Sequence, residues 1–204
     1  MSPAKIPKKM LKNLLLIFLF LTTAGTSAQE KVDMLSIPGP IELHGTEFFL
    51  SWSTQASKTL VRQQYLPRDE NIENFTQLVD FSYFNKEIDI EQAVRQKVEQ
   101  IQAREKTDKL AKVNVSQNKD GSEFVVDYFI SETPASGEPF VDYVVDRFIT
   151  IEQGSGKTFL IFSYVKRAYN NIKWEARAMA KMRDEILINV VEYKIPNIRL
   201  KNIK

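Results

Sequence analysis

The sequence predicts an α+β fold: a mainly antiparallel sheet of about six or seven strands, in the order βββαββββα, with two packed helices. Three observations carry this. Short runs rich in aromatic and β-branched residues, divided by turn signals, fill residues 47–83 and again 110–167. Two stretches, one opening at Asp89 and one near Asn170, repeat apolar residues at spacings of three and four. The strands also come in blocks separated by a helix. Such segregation favours an antiparallel sheet over a parallel, doubly wound one.

The chain opens with Lys5, Lys8, Lys9 and Lys12, then the apolar run "LLLIFLFL" at 14–21, then the small residues "TSA" ending at Ala28. Basic, apolar and small segments in that order read as a secretory signal peptide over 1–28. With residues 22–25 the apolar run is about a dozen residues, short of the ~20 that cross a bilayer, so no permanent membrane span is expected after cleavage. The leader holds four basic residues and no acid. The mature chain therefore carries 24 basic against 26 acidic residues, a net charge of −2. The basic excess belongs to the leader, and net charge gives no support to nucleic-acid binding. No cysteine is present, so stability must come from packing and the fold has no disulfide framework. This suits a periplasmic or extracellular bacterial protein. Asn74 and Asn114 sit in glycan-acceptor patterns, which a bacterial chain is not expected to use.

A polar stretch closed by "IPGP" makes residues 29–46 a flexible arm. A single domain spans 47–196, and 197–204 form a short basic tail that reads as a solvated end. "EFFLSWS" and "KTLVRQQYL" are the first two strands, joined by the turn-type "TQASK". Pro67 ends the pair, and a third strand lies around 78–83. Asp89 with Gln92 three residues on has capping-box form, and Ile90, Ala93, Val94, Val98 and Ile101 make one apolar stripe of a helix. Four strands follow at 110–117, 123–131, 140–151 and 157–167. In the third of these, Val141, Tyr143, Val145, Ile149 and Ile151 share one face; Asp142, Val144, Asp146, Phe148 and Thr150 share the other. The last helix starts at Asn170 or Asn171 and is expected to run unbroken, with Ile172, Ala176, Met179, Ile186 and Val190 inward.

The stretch Gly154, Ser155, Gly156, Lys157, Thr158 imitates the end of a phosphate-binding loop. The motif requires an earlier glycine at position 151, where Ile151 stands, and a helix afterwards. The next residues, "TFLIFSYVK", read as a strand. The stretch is therefore a hairpin turn, and no nucleotide is expected there.

Composition closes several chemistries. Cysteine nucleophiles and multi-histidine or cysteine zinc sites are impossible. The single histidine, His44, lies in a loop, and no Gly-x-Ser-x-Gly elbow is present, so no Ser-His-Asp triad is legible. No catalytic, metal or cofactor residue is assigned. Asp127, Asp142 and Asp146 lie inside strand-like runs, where they should face solvent or pair with Arg147, Lys166 or Arg167. Phe48, Trp52, Phe124, Tyr128, Phe148, Phe159 and Phe162 read as core.

Trp52, Ser53, Gln64, Tyr65, Leu66, Pro67, Glu70, Asn74, Phe75 and Thr76 form a Trp-Ser … Tyr-Leu-Pro … Asn-Phe-Thr pattern. It resembles one in small exported bacterial proteins of uncharacterised function. Asp69 stands where many of those have glycine. The element order also resembles the PsbP/Mog1 type of α-β-α sandwich. Neither resemblance names a catalytic residue. The expectation is an exported, non-enzymatic binding or accessory domain of the cell envelope, with an envelope protein or small ligand as partner. The alternatives are a lipid or small-ligand carrier, with a cavity near Met179 and Ile186, and a hydrolase working through two carboxylates. The candidate interaction loop holds Arg68, Glu70, Glu73 and Asn74.

Overall fold

A computed structural model describes residues 31–153 and 156–201. The predicted leader lies outside the described residues. Eight strands form one antiparallel sheet curled into a half-barrel. In chain order the elements are β1 (Ile41–Leu43), β2 (Thr46–Gln55), β3 (Leu60–Leu66), β4 (Gln77–Phe84), α1 (Ile90–Arg104), β5 (Lys112–Gln117), β6 (Glu123–Glu132), β7 (Phe140–Gln153), β8 (Gly156–Tyr169), α2 (Ile172–Lys181) and α3 (Arg183–Glu192). In space the strands run β1-β2-β3-β4-β8-β7-β6-β5. Each half of the sheet is an up-and-down meander, and β4 with β8 joins the halves.

This corrects the expected order βββαββββα and the count of six or seven strands. The described residues hold eight strands and three helices. The missed strand is β1. Its three residues are too few to show a period, and they pair with β2 through Ile41 and Phe48. The single last helix is in fact two. At Met182 the backbone (φ −95°, ψ −3°) bonds back three residues to Met179, and α3 restarts there without a side-chain cap. No glycine or proline marks the break.

Residues 33–45, expected to belong to a mobile arm, are packed. Leu35 and Ile37 are buried, and the Leu35 amide donates to Gln63 Oε1 at 2.8 Å. The tail is also not a free solvated end. Arg199 and Lys201 amides donate to the carbonyls of Leu35 (3.0 Å) and Met34 (2.9 Å), with Ile198 buried beside them. The two ends of the described chain clasp each other.

The helices cover opposite faces. Val141, Tyr143 and Val145 of β7 join Leu160, Phe162 and Tyr164 of β8 in a core with Met179, Ile186 and Val190 of α2 and α3. Val144 and Phe148 face the other way, onto Val94 and Ile101 of α1. The period-two pattern of the sequence is thus real, with both faces partly apolar because both are partly covered. Asp89 caps α1, accepting the Gln92 amide, and Asn171 caps α2. The strands β7 and β8 pair up to Gln153 and Gly156. Gly154 and Ser155 lie outside the described residues, and the chain continues from Gly156 as strand, not helix.

Candidate functional site

The site begins with a break in strand pairing. β1 pairs with β2 only as far as Phe48, so among the described residues no strand pairs with the outer edge of β2 at Phe49 and Leu50. Just beyond, the β2–β3 register shifts between Leu50 and Trp52, leaving Ser51 as a bulge. A bulge bends the strand and re-aims its side chains. The result is an open trough of about 560 Å³ lined by Asp33, Ile37, Pro38, Gly39, Pro40, Phe49, Leu50 and Tyr65. Its walls are apolar, and its polar groups lie at one end.

That end is a closed network. Asp33 accepts from the amides of Leu35 and Ile37 (both 3.2 Å), from Gln63 Nε2 (3.3 Å) and from Lys201 Nζ (2.6 Å). Burial works against the carboxylate, but the Lys201, Ile37 and Gln63 bonds outweigh it and hold Asp33 below its ordinary value. Gln63 also donates to the Tyr65 hydroxyl at 2.6 Å. Burial first, and the Asp33 charge second, push that phenol far above the usual tyrosine range. The trough is therefore lined by a neutral hydroxyl and by an ionised carboxylate already paired with Lys201.

The predicted interaction loop borders this trough. The Arg68 guanidinium stacks over the Phe49 ring, 4.2 Å from its centroid. Glu70 has a different job. Its carboxylate accepts the Thr76 amide (2.7 Å), the Thr76 hydroxyl (2.5 Å) and the Gln77 amide (3.3 Å), and so staples the loop shut. Asn71 Oδ1 accepts the amides of Glu73 and Asn74, which places those two at an exposed tip. Phe75 is buried against Leu66 and Leu78. Of the four candidate residues, Arg68 alone reaches the trough wall. Sequence reasoning missed Ile37, Pro38, Pro40 and Leu50. The "IPGP" signal was visible, but a proline-rich segment reads as linker until something is seen packed against it.

The strand aspartates are all buried, against the expectation of a solvent face. Asp142 receives both forks of Arg167 (2.7 and 2.8 Å), the cross-strand pairing the sequence suggested. Asp127 is held by Arg183 of α3 at 2.7 Å and Asp146 by Lys97 of α1 at 3.0 Å; the sequence named neither partner. Asp80, buried and paired with Arg62 at 2.7 Å, completes the set. A second cavity, about 380 Å³, lies where α1 ends, lined among others by Arg104, Asp108, Ser131 and Glu132. Burial opposes ionisation of Asp108. The hydroxyl and amide of Ser131, the Leu110 amide and Arg104 reverse that and keep it below its ordinary value. Each buried carboxylate thus has a structural partner. His44 sits at φ 50° in the β1–β2 turn, 3.8 Å from Glu185. Among the described residues no three His, Asp or Glu side chains are grouped to hold a metal ion, and no helix is long and apolar enough to cross a membrane.

Fold and site together define a cysteine-free α+β domain whose open surface feature is a trough at a strand edge. The chain belongs to a family of uncharacterised function, whose family model matches residues 35–195. Searches of curated proteins and of solved structures returned no match.

Proposed function

We propose that this protein is an exported, non-enzymatic binding module of the bacterial cell envelope, and that it captures its partner in the trough beside the 67–76 loop. The leader, with its basic, apolar and small segments, supports export, and the Trp-Ser … Tyr-Leu-Pro … Asn-Phe-Thr likeness to small exported proteins agrees with it. The carrying observation is the trough itself. Ile37, Pro38, Pro40, Phe49 and Leu50 present apolar surface at an unpaired strand edge, with one cation, Arg68, stacked at the rim. Concave apolar walls with few polar groups are what binding sites share. Of the three acids at the two cavities, Asp33 and Asp108 are held in their ionised forms by partners and Glu132 pairs with Arg104 at 3.1 Å, which favours binding over acid–base chemistry. Met179 and Ile186, beside which a carrier would have its cavity, are buried core at 2% and 0% exposure.

The test is in-cell crosslinking of the exported protein, wild type against Phe49→Ala and Arg68→Ala. Loss of the same crosslinked partner in both variants, with unchanged unfolding curves, is the expected outcome. Crosslinks that survive both substitutions remove the trough from the proposal.

A further inference from the structure

We infer that β5 is a docking edge for an extended acidic segment of a partner protein, which would add to the sheet as a ninth strand. The inference is independent of the trough, which lies at the opposite edge.

The sheet ends at β5, and among the described residues no strand lies beyond it. The edge is six residues long, Lys112–Gln117, and all but Val113 are exposed; Val115 is 47% exposed, unusual for a valine in a strand. The other edge, β1, is blunted at three residues.

Which backbone groups face outward follows from the ladder. The Asn118 amide donates to Glu123 O at 3.1 Å, so the pair 118 and 123 is hydrogen-bonded. Antiparallel pairs alternate between bonded and non-bonded. Ser116 with Val125, Asn114 with Asp127, and Lys112 with Phe129 are then the bonded pairs of the β5–β6 register. The bond from Thr150 N to Ser122 O gives β6 the same parity from its other side. Val113, Val115 and Gln117 therefore aim their amides and carbonyls away from the sheet, in the spacing a new strand needs.

Charge selects the occupant. Lys106, Lys109, Lys112 and Lys119 flank or lie on this edge and are exposed. Glu105 and Lys112 pair with each other at 3.5 Å, and Asp120 keeps its charge while accepting the Ser122 amide at 2.9 Å, which leaves Lys106, Lys109 and Lys119 in excess around the edge. Edge lysines also repel chance strand pairing. An acidic strand is the one kind that turns this repulsion into attraction.

Two synthetic peptides test it, one alternating valine with glutamate, the other alternating valine with lysine. Amide exchange is read on the purified protein. The glutamate peptide is expected to protect Val113, Val115 and Gln117, while Asn114 and Ser116 are already slow without it. The lysine peptide is expected to bind at least roughly tenfold more weakly, and added salt to weaken the glutamate peptide. Val115→Pro should abolish that protection without changing thermal unfolding, because it removes an outward amide; proline is tolerated at such edge positions. Three results overturn the inference. One is equal or absent protection by both peptides. Another is protection that grows with protein concentration alone, meaning a second copy. The third is concentration-independent protection in the free protein, meaning that its own chain covers the edge.

Discussion

Arg167 shows how one side chain can hold several elements. Its guanidinium lies between the rings of Phe75 (4.2 Å) and Phe140 (3.7 Å) and forks onto Asp142, while its amide donates to Thr76 O at 2.8 Å. Loop 67–76, β7 and β8 all meet there. Arg167→Met should cost about 3–5 kcal/mol in urea unfolding, because Asp142 is left buried and unpaired. Adding Asp142→Leu to that variant should recover much of the loss, since a packed apolar pair replaces an orphaned charge. Asp33 and Asp108 make the fold sensitive to acid, whereas burial holds Asp142 above its ordinary value despite Arg167 and acts in the opposite sense. The first two are lower in the folded chain than their ordinary value of 3.8. Their contribution is complete above that value and is lost as pH falls through the lower folded ones. Unfolding midpoints measured from pH 6 down should drop steeply below about pH 4, and Asp108→Asn should flatten the drop.

The secondary elements differ in how much of them a reader of the sequence could see. The two well-capped helix starts were visible, since Asp89 and Asn171 each bond the amide three residues on. Replacing Asp89 by Ala should destabilise the fold by about 1 kcal/mol in the same unfolding assay. The long strands β6 to β8 were visible from their aromatic and β-branched runs between turn signals, and β7 also from its alternation. Less visible was anything decided by tertiary pairing. Ile41–Leu43 becomes a strand only because Phe48 and its neighbours offer an edge. The break at Met182 has no local signal either. The trough was hidden for the same reason, since its two walls are joined by packing and not by adjacency in the chain. Glu70 is the instructive candidate. Its acidity suggested a partner, yet its carboxylate is consumed by Thr76 and Gln77. Glu70→Ala should therefore speed amide exchange at Thr76 and Gln77, whatever the protein binds.

At the scale of the molecule, the chain ends act together. Asp33 with Lys201, and Leu35 with Arg199, bring the first described segment and the tail into one clasp over Gln63. That clasp supports the 37–40 wall of the trough. Ending the chain after Asn197 removes buried Ile198 as well, a loss of about 1.5–3 kcal/mol by its apolar surface alone. The truncated protein should unfold earlier in denaturant and, if the trough is the binding site proposed above, lose any partner crosslinked there even where it remains folded.

The single seam between the two meanders has a consequence in time. Within each half, every strand pairs with its neighbour in the chain, so both halves can form by short loop closures. β4 must wait for β8: Phe81 meets Phe162 only after α1 and three strands have been placed. Closures over such distances are slow. If the chain is exported N-terminal end first, β4 would be paired on its β3 side alone, its other edge open, until β8 arrives. Stopped-flow refolding should then be slowed by Phe81→Leu or Phe162→Leu, while weakening a local pair such as Val61 with Tyr83 should act chiefly on unfolding. The seam that makes this one sheet instead of two is the last strand pairing the chain can make, and the interval before it forms is when the protein is most open to going astray.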